Sequence, residues 1–160
     1  MCRNVALLNI NQEKIDEDKL TKSRDRLIHR VPDFGANDIL ENIGLAHRRL
    51  SIIDLSNVAN KPMISNDKNY ILTFNGEIYN YVEVRSVLES KGYSLSTKSD
   101  TEVLQNLYIE YGEAMLQLLD GMFAFAIWDN LEKKLFVARD RVGIKPLFYS
   151  INNSRFVCAS

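Results

Sequence analysis

A chain of 160 residues, 46% hydrophobic and 26% charged, has the composition of one globular domain or a large piece of one, not of a disordered tail. Its 20 basic and 21 acidic residues leave a formal net charge of -1, which gives no reason to expect nucleic acid or an anionic membrane as partner. No apolar run approaches the roughly 20 residues that span a bilayer, and two cysteines with two histidines, none clustered, offer no zinc-ligand set.

The chain turns polar soon after position 10, which argues against a secretory signal, so a reduced, cytoplasmic, metal-free domain is expected. Val5 to Asn9 reads as a short apolar strand, and Asn11-Gln12 turns the chain. Ile15 to His29 sets Leu20, Leu27 and Ile28 among charges, a weakly amphipathic helix stopped before Pro32. Ile43 to Ile53 is strand-like, apolar at both ends with Arg48 and Arg49 in its middle. Tyr70 to Phe74 is a strand, and Asn75-Gly76 is the favoured pair for a two-residue hairpin turn, since both positions accept positive φ. Glu77 to Tyr81 would then be the returning strand.

Asn80 with Glu83 has the pattern of a capping box, opening a helix that shows Val84, Val87 and Leu88 on one face and ends at Gly92. A strand is predicted over 93–97. Ser99 with Glu102 repeats the capping pattern before a helix from Asp100 to Tyr111, stopped at Gly112. The last third turns to strands. "MFAFAIWD" (122–129) is apolar without alternation, as in a strand covered on both faces. "LFVARD" (135–140), "RVGIKPLFY" and "RFVCAS" follow, and an end within that last strand suggests a truncated domain. Strands on either side of internal helices indicate an α+β layered sandwich.

Several residues carry chemistry, each with a plainer reading. Asn75-Gly76 is first a turn, but a side-chain amide beside a glycine N–H also makes a pair of oxyanion donors. Arg48 and Arg49 are neighbours and face opposite sides of a strand. One could pair structurally while the other grips a carboxylate through two parallel N–H bonds. Asp100 falls in a first helical turn, where the macrodipole favours an acid, and it could also bind an ammonium. His47 and Cys158 read as structural. Cys2 stands apart, because removal of Met1 would place thiol and free amine on one residue as nucleophile and base.

The motifs "RRLSIIDLS" (48–56), "KPM" (61–63), "FNGEIYNY" (74–81), "SDTEVL" (99–104), "GMFAFAIWD" (121–129) and "ARDRVGIKPLFY" (138–149) follow Met1-Cys2 in order. Together they resemble the glutaminase domain of the glutamine-hydrolysing asparagine synthetases, which are class II glutamine amidotransferases. The resemblance spans residues 1–160. It implies the N-terminal nucleophile hydrolase sandwich, α/β/β/α with mostly antiparallel sheets, and hydrolysis of L-glutamine through a Cys2 thioester. It also implies an oxyanion site at Asn75 and Gly76, the substrate carboxylate on Arg49 with the backbone of Leu50, Ser51, Ile52 and Ile53 around it, and the substrate ammonium on Glu77 and Asp100.

Three residues depart from the family pattern: Arg3 and Ala6, where the family usually has glycine, and Val31 in "HRVPD". They keep a second reading open, a non-catalytic domain that retains fold and glutamine binding. A third is an amidotransferase serving another acceptor, such as a sugar intermediate. No "SGGxDS"-type phosphate loop is present. ATP and magnesium would therefore belong to a synthetase domain or partner chain that receives the ammonia, with no cofactor in this domain. A homodimer is left open.

Overall fold

Which faces of each strand are buried sets the layers of this molecule. The computed structural model describes residues 3–26, 28, 34–49 and 62–160, apart from the side chain of Arg49. Strands β1 (Arg3–Asn9), β2 (Phe34–Leu40), β3 (Ile43–Arg49), β8 (Phe148–Ile151) and β9 (Arg155–Ala159) form one sheet in the order β2-β3-β1-β9-β8. Strands β4 (Met63–Ile64), β5 (Tyr70–Ile78), β6 (Gly121–Asp129) and β7 (Lys134–Arg139) form the second, in that order. Every pairing is antiparallel. Helix α1 (Glu17–Asp25) covers the first sheet, and helices α2 (Tyr81–Ser90) and α3 (Asp100–Tyr111) cover the second.

Side chains sort between layers with the two-residue period of a strand. Val5, Leu7 and Ala46 pack outward with Ile15 and with Leu20 of α1. Ala6, Ile43, Leu45 and Cys158 of the first sheet meet Ile71, Ala126 and Trp128 of the second in a central layer. Leu72, Phe74, Ile78, Phe123, Phe125 and Ile127 face Val84, Leu88, Val103, Leu104 and Leu107 of the helices. Because β5 and β6 are covered on both faces, their sequences read as continuous apolar runs. Phe74 and Phe125 are completely buried, each contributing about 1.5–3 kcal/mol. The α/β/β/α arrangement expected from the sequence is the one observed.

Five local expectations need correction. Asn75-Gly76 is not a hairpin turn: β5 runs through it to Ile78, paired with β6 along its whole length, and Glu77 and Ile78 extend the same strand. A two-residue hairpin turn is found instead at Glu41-Asn42, between β2 and β3, with φ of 53° at Glu41 alone of the two. Residues 93–97 are not a strand. There, the backbone N–H and hydroxyl groups of Ser96 and Thr97 all donate to the Glu102 carboxylate, so Glu102 does not reach back to Ser99. Asn80 does sit at the N-cap of α2, but its side chain makes no capping bond. It donates instead to the Leu118 carbonyl and accepts the Asp120 N–H. Helix α1 is shorter than predicted, and β2 carries no alternation that could have announced it. Among the described residues no helix is long and apolar enough to cross a membrane.

Candidate active site

Asn75 lies on the central-layer face of β5, two residues beyond Thr73, and is 1% exposed. Its Nδ2 donates to Ser160 Oγ at 2.8 Å. Ser160 is held by a backbone pair with Asn4, whose N–H reaches the Ser160 carbonyl at 3.3 Å while Ser160 N–H reaches the Asn4 carbonyl at 3.0 Å. Asn4 in turn donates through Nδ2 to the Ala124 carbonyl at 3.1 Å, and Ala124 is the register partner of Asn75 on β6. Four residues from β1, β5, β6 and the chain beyond β9 thus close a buried circuit across the two sheets.

Gly76 follows from the same register. Its partner is Phe123, and both backbone groups of Phe123 are engaged by Asp140: Phe123 N–H donates to Asp140 Oδ2 at 3.2 Å, and its carbonyl accepts Asp140 N–H at 2.8 Å. Gly76 and Phe123 are therefore a non-hydrogen-bonded pair, and the Gly76 N–H is directed away from β6. Two residues on, Ile78 N–H leaves β5 on that same side and donates to Asp100 Oδ2 at 3.2 Å. A Cβ on residue 76 would lie 2.2 Å from the Met122 carbonyl oxygen and 2.7 Å from Phe123 Cα. Glycine is thus required here by the approach of β6, in addition to any substrate.

Glu77, exposed on β5, and Asp100, half-buried at the start of α3, complete this end of the strand. The structure therefore brings Asn75, Gly76, Glu77 and Asp100 together. Cys2 and Leu50, Ser51, Ile52 and Ile53 lie outside the described residues, as does the Arg49 side chain; the Arg49 backbone ends β3 opposite Phe34. The β1–β3 register pairs Arg3 with Arg48, the chain neighbours of Cys2 and Arg49.

Arg48 takes the structural half of its dipeptide. It is buried and donates to Asp25 Oδ1 at 2.7 Å, and Arg24 binds both oxygens of the same carboxylate. The Arg24 hydrogen bonds hold the Asp25 carboxyl below its ordinary range; burial opposes this and Arg48 reinforces it. His47 is fully buried opposite Asn4. Burial in the central layer pushes the Cys158 thiol up to about 12, as suits a small core residue.

Three supporting residues were not legible beforehand. Ser160 and Asn4 sit at opposite ends of the chain from each other and far from Asn75. Asp140 is the third: its carboxylate collects the N–H groups of Phe123, Ile144 and Lys145, folding the turn that contains Gly143 at φ 70°. Burial alone would raise its pKa, but those donors outweigh it and hold the carboxyl below the usual range. The strand expected over "RVGIKPLFY" is confined to Phe148–Ile151, because residues 141–147 are taken up by this turn and the segment after it.

The four-layer sandwich with paired antiparallel sheets is that of the N-terminal nucleophile hydrolases. Glutamine phosphoribosylpyrophosphate amidotransferase from B. subtilis shares it with a TM-score of 0.80 at 21% identity, over 99% of this chain and 41% of that one, a likeness of fold. Residues 1–160 match the family model for the glutamine amidotransferase domain. The chain is 44% identical over 163 residues to glutamine-hydrolyzing asparagine synthetase 1 of Bacillus subtilis (strain 168), covering 100% of this chain and 26% of that protein. It is 40% identical over 149 residues to glutamine-hydrolyzing asparagine synthetase 2 of Arabidopsis thaliana, covering 92% and 25%. The chain belongs to the glutamine amidotransferase domain family, in the form found in the glutamine-hydrolysing asparagine synthetases. It spans about a quarter of the length of these curated relatives.

Proposed function

We propose that this domain hydrolyses L-glutamine to L-glutamate and ammonia through a thioester on Cys2. Once Met1 is removed, the Cys2 amine, with an unperturbed pKa of about 7.7–8.0, is partly unprotonated near neutral pH and accepts the thiol proton. The thiolate attacks the carboxamide carbon, and the resulting oxyanion rests on the Asn75 side-chain amide and the Gly76 N–H. Collapse of this intermediate returns the proton to the departing nitrogen, and ammonia leaves. Water, deprotonated by the same amine, then attacks the thioester; glutamate departs and the thiol is restored. Arg49 takes the substrate carboxylate beside the backbone of residues 50–53, and Glu77 with Asp100 takes its ammonium. Every step uses protein groups, substrate and water.

The observation that carries this reading is the paired presentation at the end of β5: a buried carboxamide and, on the next residue, an N–H directed away from the neighbouring strand. The β1 register supports it. Asn4 reaches the residue opposite Asn75, and Cys2 stands two residues before Asn4 in the sequence.

Arg3 favours the non-catalytic alternative less than its charge suggests. Strand alternation gives it the outward face of Val5 and Leu7, shared with its partner Arg48, while Asn4 and Ala6 take the face toward Asn75. The relatives carry the name asparagine synthetase and are about four times longer. The ammonia is accordingly proposed to pass to a synthetase domain or partner chain that makes asparagine, where ATP and magnesium would act. Incubating the protein with glutamine and measuring glutamate tests the reading: release well above a Cys2→Ala control supports it, and equal release ends it.

A further inference from the structure

Among the described residues, Ser160 accepts the hydrogen bond that orients the Asn75 carboxamide. We infer that it is a positioning residue for the hydrolysis proposed above, and the inference rests on that reading. The terminal torsion of an asparagine is broad, so the backbone alone does not set where its two N–H groups point. A carboxamide nitrogen carries two donors. In this structure one is spent on Ser160 Oγ at 2.8 Å, and that choice fixes the plane of the amide and the direction of the second.

Both partners are nearly inaccessible, with Asn75 1% and Ser160 5% exposed, so water does not readily replace the hydroxyl. Nor can Ser160 drift. Its backbone is paired to Asn4 by two hydrogen bonds, and the Asn4 side chain is tied to Ala124, the residue across from Asn75.

The bridge has a second consequence. Asn4 lies two residues after Cys2, so the pairing that seats Ser160 also seats the strand leading to the nucleophile. A donor preset toward the position of developing charge gives more stabilisation than one that must reorient.

The test compares wild type, Ser160→Ala, Ser160→Thr, Asn75→Ala and the Asn75→Ala/Ser160→Ala double variant in the full chain. Misplacing a catalytic group by about 1 Å costs on the order of 10²-fold. The expected result for Ser160→Ala is therefore a kcat lowered about 10- to 100-fold, with the KM for glutamine unchanged. Ser160→Thr, which keeps the hydroxyl, should restore turnover. In the double variant the Ser160 change should cost nothing beyond Asn75→Ala, because the amide it positions is gone. The Asn75 side-chain NH₂ resonances should lose their protection from exchange in Ser160→Ala and keep it in Ser160→Thr.

An active wild type with unimpaired Ser160→Ala overturns the role of Ser160 alone. So does a Ser160 loss that adds in full to that of Asn75→Ala, which would mark a purely structural serine. An inactive wild type overturns the hydrolytic reading and this role with it.

Discussion

Asp100, the first residue of α3, accepts the backbone N–H of Ile78, the last residue of β5, at 3.2 Å. The bond fastens a helix N-terminus to the strand end that carries Asn75, Gly76 and Glu77. It occupies Oδ2, while Oδ1 accepts the Thr101 hydroxyl at 3.3 Å. A carboxylate has about four acceptor positions, so the same group retains capacity for a substrate ammonium.

Structural and substrate duties of Asp100 separate with two variants. Asp100→Asn keeps an oxygen for Ile78 but removes the charge; the KM for glutamine should rise with little change in denaturation midpoint. Asp100→Ala should raise KM similarly and also destabilise the protein by about 1 kcal/mol, the scale of one net hydrogen bond. Steady-state kinetics beside a denaturant titration check both. An unchanged KM in Asp100→Asn would remove Asp100 from substrate binding.

Replacing Asn75 by alanine removes one oxyanion donor and leaves Ser160 Oγ without its partner. Turnover should fall by about 10²–10³. Stability should fall by about 1–3 kcal/mol, because the orphaned oxygen is buried. Single-turnover kinetics and urea denaturation measure the two losses independently.

Gly76→Ala should damage folding before it affects chemistry. The added methyl would meet backbone atoms of Met122 and Phe123, which are held by the β5–β6 ladder and cannot swing aside as a side chain can. Overpacking of this kind costs about 1–3 kcal/mol and occasionally more, so a loss at or above the upper figure is expected. Equilibrium denaturation would show it, and a fully stable variant would contradict the register described for β5 and β6.

How far the sequence revealed this molecule depended on whether the deciding contacts were local. The runs of β5 and β6 were readable because both faces of each strand are buried. Asn75-Gly76 was misread because turn preference is a local property. The strand that overrides it, β6, arrives much later in the chain and pairs along all of β5. Residues 93–97 have strand-like composition, yet Ser96 and Thr97 spend their donors on Glu102. Strand β2, "FGANDIL", is half-buried at the sheet edge and takes its order from β3. Candidate residues on β5 and α3 were visible as motifs, whereas the Ser160–Asn75 bond joins residues too far apart for any pattern to link them.

Acid should weaken the fold partly through Asp25. Its folded-state carboxyl titrates below the unfolded value of about 3.9, chiefly through Arg24. The stabilisation is therefore fully present above that value and is lost as pH falls through the lower, folded one. Compared with Asp25→Asn, the wild type should lose its stability advantage over the pH range below the unfolded value of about 3.9. Denaturation midpoints across that range measure the gap, and a gap independent of pH would contradict the Arg24–Asp25–Arg48 pairing.

The account stands or falls on an acylated Cys2 at a free amino terminus. Acid-quenching the protein during turnover with glutamine and measuring peptide masses tests this directly. The expected product is an N-terminal peptide that lacks Met1, begins at Cys2 and has gained one γ-glutamyl group, with the peptide carrying the deeply buried Cys158 unmodified. A retained Met1, or glutamate formed while the adduct sits elsewhere, would contradict it.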